Sequence, residues 1–258
     1  MPRSFPVSNS AVVIGQDADD LARQAAAQFV SVAANAAAVS GRFTVALSGG
    51  STPRTLYSLL ASPAFKDQID WRHIHFFWGD ERCVPPDHAE SNYRMVRETL
   101  LSKIEIPPHN VHRMAGEKDP DTAAAEYEQQ LRNFFQTADP APGFDLILLG
   151  LGEDGHTASL FPGSAALKET TRWVATAYVE RLHAHRLTLT LPVINAAAQV
   201  SFLVAGESKS AILKALLGKD SNSTRYPAGL VRPVSGELTW FVTQDAAAGI
   251  ALFAKRLT

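Results

Sequence analysis

The chain has a single cysteine, Cys83, in 258 residues. That excludes a disulfide framework within the chain and makes a reducing compartment the expected one. It also lacks any excess of positive charge. Lys and Arg number 24 against 26 Asp and Glu, a formal net charge of −2, so no broad basic surface for nucleic acid is expected, although a local cluster of cations would still suffice for a small anion. Long hydrophobic runs are missing. Residues Met1 to Ser8 hold no continuous apolar stretch of the signal-peptide kind. The Ala-rich segment from Arg23 to Ser40 is broken by Gln, Ser and Asn and is too short and polar for a membrane span. A cytoplasmic protein with no membrane contact is expected. Several motifs are absent as well: Cys-x-x-Cys, His-Glu-x-x-His, Gly-x-x-x-x-Gly-Lys and Gly-x-Ser-x-Gly. Their absence argues against the usual zinc, P-loop and α/β-hydrolase designs. No internal repeat or low-complexity linker divides the sequence, so one domain over 1–258 is expected. The Pro-rich stretches near 85, 107 and 140 read as turns. Nothing demands more than a monomer or a small homo-oligomer.

What is present is an ordinary globular composition, 46% apolar and 19% charged, in a chain long enough to bury a core unaided. Strand-like apolar runs lie at Phe43 to Leu47, Ile74 to Trp78, Phe144 to Leu149, Val200 to Val204 and Thr239 to Val242. Helical patterns lie between them, at about 19–38, 53–61, 90–102, 120–136, 207–217 and 245–254. This alternation predicts an α/β fold, a mainly parallel open sheet with helices on both faces. Trp173 to Val179 and Arg186 to Leu191 break the alternation and predict a small antiparallel insert, a hairpin around 172–191. In open α/β sheets ligands bind beyond the carboxyl ends of the strands, so the loops there carry the interest.

Three such loops stand out. Ser48-Gly-Gly-Ser-Thr-Pro53 joins a strand to a helix. Its glycines admit close approach of a ligand and its hydroxyls and N–H groups suit a phosphate, although a tight turn capped by Ser or Thr would look the same. Trp78-Gly-Asp-Glu-Arg82 releases two acids and an arginine together. The arginine could hold a carboxylate or phosphate through paired N–H donors and the acids could orient it or abstract protons, or equally the segment is a solvated charged turn. Cys83 beside it has no evident base and reads as structural. Gly150-Leu-Gly-Glu-Asp-Gly-His-Thr-Ala-Ser-Leu-Phe-Pro162 carries Gly-x-Gly-x-x-Gly spacing. However, Glu153 and Asp154 would set negative charge where a dinucleotide's pyrophosphate sits. Its position makes His156, alone of eight histidines, a candidate general base. The pairs His73/His75 and His183/His185 could each present two nitrogens to a metal, but no third ligand is evident, and no metal is expected.

These loops, with Ser91-Asn-Tyr, Arg186-Leu-Thr-Leu-Thr and Gly206-Glu-Ser-Lys, occur in one order between residues 44 and 210. Together they resemble the 6-phosphogluconolactonase family, within the wider group that includes glucosamine-6-phosphate deaminases. The resemblance implies a Rossmann-like fold of the deaminase/lactonase type. It implies hydrolysis of 6-phospho-D-glucono-1,5-lactone to 6-phosphogluconate, the second step of the oxidative pentose phosphate pathway, with no cofactor and no metal. Carried over by position, His156 is the base that activates water, Arg82 lies close to the reacting lactone, and Asp154 orients His156 or binds a sugar hydroxyl. Ser48, Gly49, Gly50, Ser51 and Thr52 form the phosphate or sugar cradle. Arg186 and Lys209 are the cationic contacts to the 6-phosphate. The segment Glu180-Arg-Leu-His-Ala-His185 departs from the family, which is often richer in proline there. Two other readings compete: a glucosamine-6-phosphate deaminase or isomerase, and a sugar-phosphate-binding regulator without turnover. A dinucleotide-dependent oxidoreductase would rest on the glycine spacing alone.

Overall fold

A computed structural model of the chain describes residues 10–136, 141–180, 183–218 and 223–250. Fifteen elements matter here, in the order β1 (Ser10–Gly15), α1 (Ala18–Ser40), β2 (Phe43–Leu47), α2 (Ser51–Leu60), β3 (Ile74–Trp78), β4 (Asp80–Arg82), α3 (Asn92–Thr99), α4 (Pro120–Phe135), β5 (Leu146–Leu149), β6 (Val174–Val179), β7 (Ala184–Leu189), α5 (Leu191–Asn195), β8 (Gln199–Val204), α6 (Ser210–Leu217) and β9 (Glu237–Thr243). Six strands form one sheet in the order β1-β9-β8-β5-β2-β3, and every neighbouring pair is parallel. All five residues of β2 and all four of β5 are buried. Successive side chains point to opposite faces, so both faces of the sheet centre are covered.

The helices follow from local chemistry. In α1, Asp17 caps the first turn by accepting the Asp20 N–H at 2.8 Å, and Gly41 closes it in the left-handed region at φ 73°. Between the caps, Leu21, Ala25, Phe29 and Val32 bury one face. Phe29 meets Phe43 of β2 edge-on, ring centres 5.2 Å apart. Pro120 starts α4 just after its cap Asp119.

Three expectations are revised. The insert is a three-stranded antiparallel sheet, β4-β7-β6, rather than a hairpin alone. The extra strand is the charged segment Asp80–Arg82, whose pairing with Arg186–Thr188 is set by the fold and not by strand propensity. A further strand, β1, pairs in parallel with β9 at the sheet edge. Of the helix expected at 245–254, residues 245–249 form turns instead, and 251–254 lie outside the described residues. Asp245 accepts from the Thr243 hydroxyl and from the Ala246 N–H, a local alternative to the helical ladder. Gly249 further disfavours a helix there. The Pro-rich stretch near 85 is a turn, that near 107 enters a short 3-10 turn at Pro108–Asn110, and residue 140 lies outside the described residues. Among those residues no helix is long and apolar enough to cross a membrane.

Candidate functional site at the carboxyl edge of the sheet

β2 sits between β3 and β5, so the chain leaves it in one direction and returns on the other side. That reversal opens a crevice at the strand ends. A cleft of about 300 Å³ lies there, walled by the loops after β2, β4, β5 and β8.

The loop after β2 is fixed from behind. The fully buried Tyr57 donates its hydroxyl to the Ser48 carbonyl at 2.9 Å and accepts the Ser48 N–H at 3.0 Å. The chain then turns through Gly50 at φ 106° into α2, a conformation that favours glycine. All of Ser48 to Thr52 line the cleft. Among the described residues the buried Ser48 hydroxyl has no hydrogen-bond partner.

At the next strand end the two acids separate in role. Glu81 is 2% exposed and collects the N–H groups of Arg82, Asn92 and Tyr93 at 2.7–2.8 Å and the Ser91 hydroxyl at 3.1 Å. Burial pushes its carboxyl above the ordinary value, and those three N–H donors only partly oppose this. Glu81 is the bracket that ties β4 to the start of α3. Asp80 instead lines the cleft, accepting the Ser159 hydroxyl at 2.8 Å. Arg82 also lines it, donating from Nη1 to the Glu90 carbonyl at 2.7 Å and to Asn92 Oδ1 at 2.6 Å. Cys83 is half-buried and its thiol is pushed up to about 11 by burial, so it stays protonated near neutrality.

The loop after β5 holds His156. Its Nδ1 is 2.5 Å from Asp154 Oδ1, and the same oxygen accepts the His156 N–H at 3.1 Å. Burial raises the Asp154 carboxyl, but the bonds from His156 outweigh it and leave the group below its ordinary value. The pairing makes Nδ1 the donor and leaves Nε2 with its lone pair. Among the described residues Nε2 has no hydrogen-bond partner, and His156 lines the cleft. Phe161 lies against the ring at 4.5 Å. Gly152 leaves room behind it, since a Cβ there would overlap Nδ1 and Cε1. No helix opens after the glycine spacing at 150–155; the chain runs through turns to Phe161. The helix N-terminus on which a dinucleotide's pyrophosphate rests is therefore missing.

Lys209 ends the short 3-10 turn Glu207–Lys209 after β8, and its Nζ lies 3.8 Å from Glu153 Oε1 on the cleft wall. Of the expected site residues, Asp154 does not itself line the cleft and meets it only through His156, and the other that does not line it is Arg186. It sits on β7 directly opposite Arg82, 8% exposed. Burial lowers its pKa, and the facing Arg82 lowers it further. Of the other histidines, His88 and His109 are exposed and the rest meet protein neighbours. His73 bonds the Gly41 carbonyl, His75 and His112 pair with each other, and His183 and His185 lie against Tyr178. Residues 181–182 of the polar loop lie outside the described residues. Sequence reasoning gave Asp80 only a role shared with Glu81, as an acid that could orient Arg82 or abstract protons, and gave Asn92 none. Asn92 stood within Ser91-Asn-Tyr, but an asparagine at the start of a helix carries no chemical signal by itself.

An open parallel sheet with a polar cleft at its switch point defines an α/β protein of the kind that takes a small ligand at its strand ends. The chain belongs to the family described as glucosamine-6-phosphate isomerases/6-phosphogluconolactonase, whose model matches residues 16–240. A 6-phosphogluconolactonase of Synechocystis is 46% identical over 213 residues, covering 82% of this chain and 86% of that protein. Among solved structures, the devB protein superposes with TM-score 0.86 at 37% identity, covering 94% of this chain and all of that one. A 6-phosphogluconolactonase from Trypanosoma cruzi superposes with TM-score 0.85 at 29% identity, covering 97% and 100%.

Proposed function

We propose that this protein is a 6-phosphogluconolactonase, opening 6-phospho-D-glucono-1,5-lactone to 6-phosphogluconate in the oxidative pentose phosphate pathway. The observation that carries the proposal is His156, bonded through Nδ1 to Asp154 with Nε2 unpartnered in a cleft that Arg82, Lys209 and the Ser48–Thr52 loop also line. Nε2 takes a proton from water as the oxygen attacks the lactone carbonyl. The ring oxygen then leaves as the tetrahedral intermediate collapses, and the imidazolium returns the proton to it. Asp154 holds the tautomer and steadies the charge that His156 gains. Arg82 faces the developing oxyanion. The 6-phosphate, remote from the reacting bond, is assigned to Lys209 and the Gly49–Thr52 loop, where N–H groups and hydroxyls favour an anion; its binding orients the carbonyl. Arg186 adds positive charge from behind Arg82. A lactone is an activated ester, so a base, charge and positioning are sufficient without metal or cofactor.

The relatives' names favour this reading over a deaminase, and the presence of His156 with its partner disfavours a regulator without turnover. We place the reaction in the cytoplasm, with a small sugar-phosphate lactone rather than nucleic acid as its partner, in one domain built around one continuous buried apolar cluster. The test is to generate the lactone in situ, with chelator present, and follow its loss above the spontaneous rate. Wild type should accelerate it. His156→Ala, still folded, should lose about 10²- to 10⁴-fold. No acceleration by wild type would sink the lactonase reading and make glucosamine 6-phosphate the next substrate. Full activity in the variant would remove His156 as the base.

A further inference from the structure

Asn92 is the first residue of α3 and is 1% exposed at the wall of the cleft. Its main chain is fixed without help from its side chain. Its N–H donates to Glu81 at 2.8 Å, and Ser91 caps the helix by accepting the Arg94 N–H at 3.1 Å. The side chain does something else. Oδ1 accepts from Arg82 Nη1 at 2.6 Å, while Nδ2 donates to the Asp80 carbonyl at 2.9 Å and to Asp80 Oδ1 at 3.3 Å. A guanidinium only donates and a carbonyl only accepts, so a single amide orientation serves both sides. The remaining face is closed by Gly49, where a Cβ would overlap the Asn92 amide. One side chain therefore touches the loop after β2, the strand β4 and the guanidinium of Arg82.

We infer that Asn92 is a positioning residue for Arg82 and that its neutrality is the property that matters. The inference rests on the reading that Arg82 faces the reacting lactone. Asn92 and the Glu90 carbonyl together hold Nη1. Nε and Nη2 have no acceptor among the described residues, and they are the donors left for a substrate oxygen. A carboxylate in place of the amide would hold Nη1 equally well, but it would neutralise the charge that a developing oxyanion needs. It would also set a second carboxylate beside Asp80. An amide fixes the arginine and leaves its charge uncompensated.

The test compares kcat and KM for wild type, Asn92→Ala, Asn92→Asp, Arg82→Ala and the Asn92→Ala/Arg82→Ala double variant, with thermal unfolding as the check on folding. Asn92→Ala should lower kcat by about 10- to 100-fold, the worth of one hydrogen bond to a charged group, with little change in KM. The double variant should be no worse than Arg82→Ala, because Asn92 acts only through that arginine. In Asn92→Asp, activity relative to wild type should recover as pH falls, because two adjacent carboxylates come to share a proton. Equal losses in both Arg82 backgrounds, or a loss confined to KM, would overturn the inference. So would a flat pH ratio in Asn92→Asp, which decides the matter if Asn92→Ala does not fold. A separate measurement stands if wild type opens no lactone at all. The ¹⁵N NMR signal of the Arg82 guanidinium, assigned by its loss in Arg82→Ala, should show hindered rotation in wild type and free rotation in Asn92→Ala or, where that does not fold, in the apolar near-isostere Asn92→Leu. Hindered rotation surviving there would overturn the inference whatever the substrate.

Discussion

Two histidine environments in this molecule are built in opposite ways. His156 has a carboxylate at one nitrogen, a second nitrogen without a hydrogen-bond partner among the described residues, and an open cleft in front of it. His75 and His112 have each other. His75 Nδ1 lies 3.3 Å from His112 Nε2. His112 stacks on Phe77 at 4.3 Å, and Phe134 covers both rings. Arg42, itself lying over Phe134, and His109 add positive charge nearby. Burial comes first in lowering both pKa values to about 4; Arg42 and His109 add to it at His75, and His75 and His109 add to it at His112. In the proposed reaction the first place accepts a proton and hands it on. The other refuses one at any pH the protein meets near neutrality. The difference lies in neighbours, not in residue type: a carboxylate stabilises the imidazolium, while aromatic rings and like charges exclude it.

The contrast can be broken most sharply at Gly152. A methyl group there would overlap the His156 ring and push it toward the cleft. A displacement of about 1 Å at a reacting group costs on the order of 10²-fold, so Gly152→Ala should lose about that in kcat while remaining folded. An unchanged kcat would mean that packing does not set the ring's place. Asp154→Asn should cost less, about tenfold. The Asp154 side chain is 46% exposed, and water takes over part of the charge stabilisation that it supplies. The amide can present its own N–H to Nδ1, favouring the tautomer that puts the hydrogen on Nε2. The loss should therefore fall on kcat more than on KM. A loss confined to KM would move Asp154 from His156 to a sugar hydroxyl.

The contrast also marks what the sequence discloses. Strand runs such as Phe43–Leu47 were legible at their observed bounds because five buried residues in a row leave little else to be. His156 was legible because it follows the strongest of those runs. β4 was not, since Asp80–Arg82 has no strand propensity and is a strand only because β7 lies beside it. Arg186 was legible as a cation, but its place opposite Arg82 is a fact of register. Asn92 and Gly152 act through space, on Arg82 and on the His156 ring, and nothing at either position announces the neighbour. The same holds for the His75–His112 pair, 37 residues apart. The sequence suggested His73 as the partner of His75, two residues away, yet His73 turns to Gly41.

The second histidine site gives the smallest of these effects and a direct sign. Folded values near 4 lie below the ordinary 6.5, so as pH falls the unfolded chain takes up these two protons first. Their contribution to stability is complete above about pH 6.5 and drains away toward pH 4. The carboxyls of Asp70 and Glu169, held down near 2 by hydrogen bonds from Arg72 and from the 170–172 backbone, lose their contribution only at lower pH. Glu81, with its raised value, works the other way at the acid end of this window. Comparing wild type with His75→Phe cancels those shared groups. Wild type should lose roughly 2 kcal/mol between pH 6.5 and 4, a figure discounted because His75 is only half-buried, and the melting temperature should fall by about 5 °C. In His75→Phe one proton site is gone and the repulsion it exerted on His112 goes with it, so the acid limb should flatten by about half. Parallel melting curves for the two proteins across this window would show that the pair titrates alike folded and unfolded, and the distinction between a histidine that accepts protons and one that refuses them would fail at its second member.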